Sequence, residues 1–171
     1  MRRRLFLALG FAGAATFAAA GWWVAGRKWP ADGLDVEAQE IVAALVPAML
    51  GDALPASGVA RGEAISETVR HVQRAIAGLP PAARAEIGQL FALLSLTPAR
   101  RAFAGVASPW ASASDAEIAA FLDSWRDSRW ELKRSAYDAL HQLINAAWYG
   151  NPRAWNAIGY PGPPALEGLG R

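Results

Sequence analysis

The stretch SDAEIAAFLDSWRDSRWELKRSAYDALHQLINAAWYG, residues 114–150, decides the fold. In it Ile118, Phe121, Leu122, Trp125, Leu132, Ala136, Leu140, Leu143 and Ala147 recur at the spacing of one face of an α-helix. Ser114 and Glu117 fit a capping box, in which each side chain takes a free N–H at the helix start. Gly150 is a C-terminal stop. The pattern predicts a single helix of about 30 residues.

Upstream the same period repeats in shorter pieces. Asp35 is an N-cap for a helix to Leu50 carrying Val36, Ile41, Leu45 and Met49, which Pro47 should kink or shorten. Ile65, Val69, Val72 and Ile76 predict a second helix over 61–77, stopped by Gly78. Pro80 and Pro81 open a third, with Ile87, Leu90, Phe91 and Leu94, ending before Pro98. A short helical turn over 98–104 and a loop over 105–114 follow. No stretch alternates convincingly at period two. The reading is all-α: a small four- to five-helix bundle over 35–150, built round the long C-terminal helix.

Composition sets the outer limits. The chain has 171 residues, enough for one domain with an anchor or tail, and at 53% hydrophobic it is too apolar to be disordered. With no cysteine it can form no disulfide framework, zinc knuckle, iron–sulfur cluster or thiol nucleophile. The excess of 17 basic over 15 acidic residues invites a nucleic-acid partner. Arg2, Arg3 and Arg4 account for it, so the rest of the chain is close to neutral and offers no basic stripe for phosphates. Nucleic acid is not an expected partner.

Those arginines precede an uncharged stretch from Leu5 to Gly26, the layout of an export signal. Arg3-Arg4-Leu5-Phe6-Leu7 resembles the twin-arginine consensus, with Arg3, Arg4, Phe6 and Leu7 as its signal residues. Ala18 and Ala20 satisfy the small-residue rule for cleavage. The same segment is long enough to span a bilayer, with Trp22, Trp23 and Trp29 as interfacial anchors, so residues 1–26 read as a signal peptide or a membrane anchor. A linker over 27–34 follows, marked by Pro30 and Gly33. The twin-arginine pathway exports proteins already folded, commonly with a cofactor or partner bound.

Catalytic groups are scarce. His71 and His141 are isolated, and a lone histidine on a helix is usually a packing or hydrogen-bonding residue. Asp123, Asp127 and Glu131 repeat at i, i+4 but are interleaved with Arg126, Arg129, Lys133 and Arg134, the pattern of a solvated face with weak ion pairs. No phosphate loop, dinucleotide fingerprint or nucleophile motif occurs. No catalytic, metal or cofactor residue is assigned. The alternative, a self-sufficient periplasmic binding or catalytic domain, would use these histidines or carboxylates.

Beyond residue 150 the character changes. In residues 145–164, NAAWYGNPRAWNAIGYPGPP, four aromatics and four prolines fall in one stretch. Asn151 can cap a turn that Pro152 begins and Gly159 ends, and the Pro-rich remainder should be extended. Stiff backbone carrying aromatics loses little entropy on docking. The surface it covers is either its own bundle or another protein.

This string, with the leader and the cysteine-free helical domain, resembles the small subunits of membrane-associated bacterial flavin dehydrogenases. The related families are those of gluconate 2-dehydrogenase subunit 3 and the sugar dehydrogenase gamma subunit, companions of glucose-methanol-choline type oxidoreductases. The resemblance implies a non-catalytic subunit that binds the folded, FAD-loaded large subunit, assists its maturation and carries it to the twin-arginine translocase. FAD would sit on the partner, and a cytochrome subunit or the quinone pool would receive the electrons. Trp148, Tyr149, Gly150, Trp155, Gly159, Tyr160 and Pro161 match the shared C-terminal motif and are the expected partner-binding residues. Tyr137 and His141, upstream on the same side of the helix as Trp148, extend the set. Residues 151–171 are then a docking tail, and cutting after Gly150 should leave the bundle folded. The expected location is the periplasmic face of the inner membrane.

Overall fold

The computed structural model describes residues 33–155 and 158–162. Arg3, Arg4, Phe6, Leu7, Ala18 and Ala20 lie outside the described residues, as do most of the linker and the tail from residue 163. The described chain is all-helical. Its elements are α1 (Val36–Leu50), α2 (Gly58–Ala77), α3 (Pro81–Ser95), α4 (Thr97–Ala99), α5 (Asp115–Arg126), α6 (Glu131–Tyr149) and α7 (Pro152–Trp155). A π turn, Arg100–Ala104, continues α4, and a 3-10 turn, Trp110–Ser112, precedes α5.

The central element is α1. Asp35 Oδ1 accepts the Ala38 N–H at 2.9 Å and so caps it. Ala38, Ile41, Val42, Leu45 and Val46 have no exposed surface, and Ala43, Ala44 and Met49 pack partly buried beside them. Helices α2, α3, α5 and α6 and the 3-10 turn all contact it. Pro47 does not stop the helix, which runs three residues further to Leu50. The chain enters α1 through Gly33, whose φ is +117°; a Cβ there would lie 2.7 Å from Gln73 Cγ, so only glycine lets the backbone pass this close to α2.

The single long helix expected over 114–150 is two helices. The break at residues 127–130 is built from local hydrogen bonds. Ser128 Oγ accepts the Trp130 N–H at 3.1 Å, and the Ser128 carbonyl accepts Arg134 Nη1. Asp and Ser compete with the helical ladder in this way, which the apolar stripe does not register. Tertiary bonds hold the elbow, because the Phe103 carbonyl accepts both Trp125 Nε1 of α5 at 2.9 Å and Lys133 Nζ of α6 at 3.0 Å. Ile118, Phe121, Leu122 and Trp125 are buried as the stripe predicts, and so are Leu140 and Ala147, but Leu132 is 76% exposed. The bundle is therefore assembled round α1 and not round a long C-terminal helix.

Aromatic contacts join the loop over 105–114 to this core. Phe121 stands edge-on to Trp110 at 5.8 Å and to Trp125 at 4.8 Å. Trp110 Nε1 donates to the Leu94 carbonyl at 3.0 Å, which satisfies the indole inside the core. The capping box forms by half. Ser114 Oγ accepts the Glu117 N–H, but the Glu117 carboxylate turns to the loop and accepts the N–H groups of Ala107 at 2.6 Å and Ser108 at 3.1 Å. The bonds from Ser108 and then Ala107 hold this carboxyl below the usual carboxylate range.

Two outcomes follow from this packing. In urea denaturation, Leu140→Ala should cost about 2–5 kcal/mol, and Leu132→Gln less than about 0.5 kcal/mol; comparable losses would restore the single-helix reading. A carboxylate with a depressed folded pKa adds stability that is present above its unfolded pKa and lost as pH falls through the folded one. The stability deficit of Glu117→Gln is accordingly expected at neutral pH and should close as acid protonates the parent carboxyl. A deficit that persists unchanged at low pH would contradict the clamp.

Candidate functional site

The C-terminal end of α6 brings the aromatic residues of the tail together. Gly150 N–H donates to the Ala146 carbonyl at 2.9 Å and Asn151 N–H to the Trp148 carbonyl at 3.0 Å, which turns the chain out of the helix. At Gly150 a Cβ would lie 2.7 Å from the Ala146 oxygen, so a side chain would push the turn apart. Asn151 is buried and its Oδ1 accepts the Arg153 N–H at 3.1 Å, starting α7 as its sequence position predicts. Ala154 then enters the core, and Arg153 Nη1 reaches Glu67 Oε2 of α2 at 3.3 Å.

Trp155 is the platform of this end. Its Nε1 donates to the Tyr149 carbonyl at 2.8 Å, and its carbonyl accepts the Tyr160 N–H at 2.9 Å. The Tyr160 ring stands edge-on to the indole at 5.3 Å, and Gly162 passes close to the indole ring. Gly159, at φ +66°, provides the reversal that allows this. The result is a folded-back knuckle with Tyr149, Ile158 and Tyr160 exposed and Trp155 partly so. Pro161 is exposed at its edge.

Several expected residues are placed differently. Trp148 is 3% exposed and belongs to the core, so it is not a surface contact. Tyr137 and His141 stack on each other at 5.6 Å further up α6, with His141 exposed. Helical spacing puts them on the side of Trp148, beside which α6 is tied to α2 where His71 Nδ1–H donates to the Ala147 carbonyl at 3.2 Å. A carbonyl oxygen only accepts, so a neutral His71 carries its proton on Nδ1. Gly150 and Gly159 shape the backbone rather than present a side chain. Ile158 was not among the expected site residues; its signal was an apolar residue between two aromatics on a turn.

The carboxylate series does not converge. The elbow separates Asp127 from Glu131, and Asp123 and Asp127 both pair with Arg126, at 3.0 Å and 3.2 Å. Asp127 first and Asp123 after it push the Arg126 guanidinium above its ordinary value. Among the described residues no group of three or more His, Asp or Glu side chains is placed to hold a metal ion. No protein-family model, curated protein or solved structure matches the chain.

Because Asn151 and Ala154 fill core positions, the end of the bundle is not 150. Truncation after Gly150 is expected to lower stability in urea by about 2–4 kcal/mol, the loss of buried apolar contact plus a buried cap. Truncation after Gly162, which keeps Asn151 and α7, should be the more stable of the two by that amount. Equal stability of the two would mean that α7 is only laid on the surface.

Proposed function

We propose that this chain is a non-catalytic accessory subunit that binds a folded, FAD-loaded dehydrogenase of the glucose-methanol-choline type. It assists maturation of that partner and escorts it through the twin-arginine translocase to the periplasmic face of the inner membrane. FAD belongs to the partner, and a cytochrome subunit or the quinone pool takes the electrons. Arg3, Arg4, Phe6 and Leu7 supply the translocase signal.

The observation that carries the reading is the preorganised aromatic knuckle, on a chain whose leader has the twin-arginine pattern. Tyr149, Ile158 and Tyr160 are held in the open around Trp155, whose ring Nε1 donates to the Tyr149 carbonyl and whose own carbonyl accepts the Tyr160 N–H. Such a surface loses little entropy on association, and exposed tyrosines on rigid backbone are the residues that most often dominate binding energy. The docking set is accordingly Tyr149, Trp155, Ile158, Tyr160 and Pro161, with Tyr137 and His141 as an outlying pair. Trp148 and Gly150 support it from beneath.

Two substitutions test the reading at its two ends. With Arg3→Lys and Arg4→Lys together, the co-expressed large subunit should stay in the cytoplasm; its arrival in the periplasm with FAD would end the escort reading. Tyr149→Ala with Tyr160→Ala should weaken binding of the large subunit by at least about 30-fold, the effect of about 2 kcal/mol at an interface hot spot. The helical circular dichroism should be unchanged. Undiminished affinity would place the docking surface elsewhere.

A further inference from the structure

The last four carbonyls of an α-helix find no partner inside it, and where a helix ends beside a binding surface their partners fix how that surface is held. In α6 they belong to Ala146, Ala147, Trp148 and Tyr149, and all four are taken. The N–H groups of Gly150 and Asn151 donate to Ala146 and Trp148, and the Trp155 indole donates to Tyr149. Those three donors come from the segment that follows the helix. The fourth comes from another element, because His71 Nδ1–H of α2 reaches the Ala147 carbonyl across 76 residues of chain.

Glu67 stands one turn before His71 on the same face of α2. Its Oε2 takes Arg153 Nη1 at 3.3 Å. The two contacts bracket the turn out of α6: His71 holds the last turn of the helix, and Glu67 holds α7 beyond Asn151. Ala64 and Thr68, which share this side of α2, are buried, so the face is turned into the bundle. His71 and Glu67 themselves are half-buried at its edge.

We propose that Glu67 and His71 are positioning residues for the docking surface, a clasp on α2 that sets the path of the chain from Ala147 to Trp155 and with it the placement of the aromatic knuckle. What the surface binds rests on the proposed docking role, whereas the clasp is a property of the chain alone. The clasp makes presentation of the surface conditional on folding. It closes only when α2 packs on α6, and α2 is also one of the helices that enclose α1. A chain with an incomplete bundle presents a loosened knuckle, so the accessory subunit recognises its partner only once it is itself folded. One hydrogen bond and one part-exposed ion pair contribute modestly to stability, which is why their effect is sought in the local order of the knuckle.

Backbone amide NMR relaxation of the full chain reads that order directly. In the parent the amides of Gly150, Asn151, Ala154 and Tyr160 should be as rigid as those of Ile41 to Val46, with order parameters of about 0.85. His71→Leu should lower the first set toward about 0.6 and leave α1 unchanged. His71→Asn, whose Nδ2 stands where Nδ1 does and donates the same bond, should restore rigidity. Glu67→Arg and Arg153→Glu should each loosen Ala154 and Tyr160, and the two together should tighten them again. Leu140→Ala, which costs more stability than any of these, should leave the knuckle rigid. The flavoprotein that co-purifies with the parent should bind His71→Leu about fivefold more weakly, the effect of one hydrogen bond, and bind His71→Asn as it binds the parent. Knuckle amides that stay rigid in His71→Leu and in both single charge variants would overturn the clasp. Loosening that neither His71→Asn nor the charge exchange reverses would do so too, as would equal loosening in Leu140→Ala. A loosened knuckle with undiminished flavoprotein affinity would instead uphold the clasp and sink the docking role.

Discussion

Enclosure of α1 is the constraint on which the rest of the structure depends. From Ala38 to Leu50 its only polar residues are Gln39 and Glu40 in the first turns. A helix of this kind has no stable existence beside water, and each buried Ile, Val or Leu contributes about 1.5–3 kcal/mol when covered. Covering it takes four other helices and a loop. Gly33 is required because α1 begins against α2, and the Trp110–Phe121–Trp125 cluster exists because the loop before α5 must cover the far side. The elbow follows from the same demand. A straight helix over 114–150 could lay only one line of contact on α1, whereas two helices set at an angle each bring a face to it.

Much of this was legible in the sequence, and the reasons for the misses are specific. Asp35, Gly78, Pro81 and Ser114 mark helix ends by local chemistry, and the structure uses them that way. The break at 127–130 was hidden because Leu132 falls in helical register by coincidence. The turn-forming Asp127-Ser128 pair was the available signal. The bond from Trp125 and Lys133 to one carbonyl, which fixes the break, joins residues 22 and 30 positions from Phe103 and could not be read locally. The central place of α1 was readable in principle, since apolar residues occur nearly all round it. Glu117 illustrates a different limit, because the capping box and the loop clamp need the same side chain and only tertiary structure decides between them.

At the candidate site the sequence identified the segment but not its sides. Trp148 and Tyr149 are neighbours of similar character, yet one is core and the other exposed, because successive side chains on a helix of 3.6 residues per turn point in different directions. Of the alternatives open at the outset, cover for its own bundle or docking on another protein, the described residues show the first in part. Residues 151–155 complete the bundle, and residues 158–162 turn back over Trp155 and leave an aromatic face in solvent. In the proposed role this division has a use, since a docking surface anchored in the core is rigid before its partner arrives.

The central claim is that the knuckle is where a folded flavoprotein sits. Its most direct test is amide hydrogen exchange on the complex purified from membranes through a tag on this chain, compared with the chain alone. The account predicts co-purification of a flavin-bearing chain that has no export signal of its own, with slowed exchange concentrated in residues 149–162. A chain that purifies without a flavoprotein, or a complex in which those amides exchange as fast as in the free chain, would contradict it.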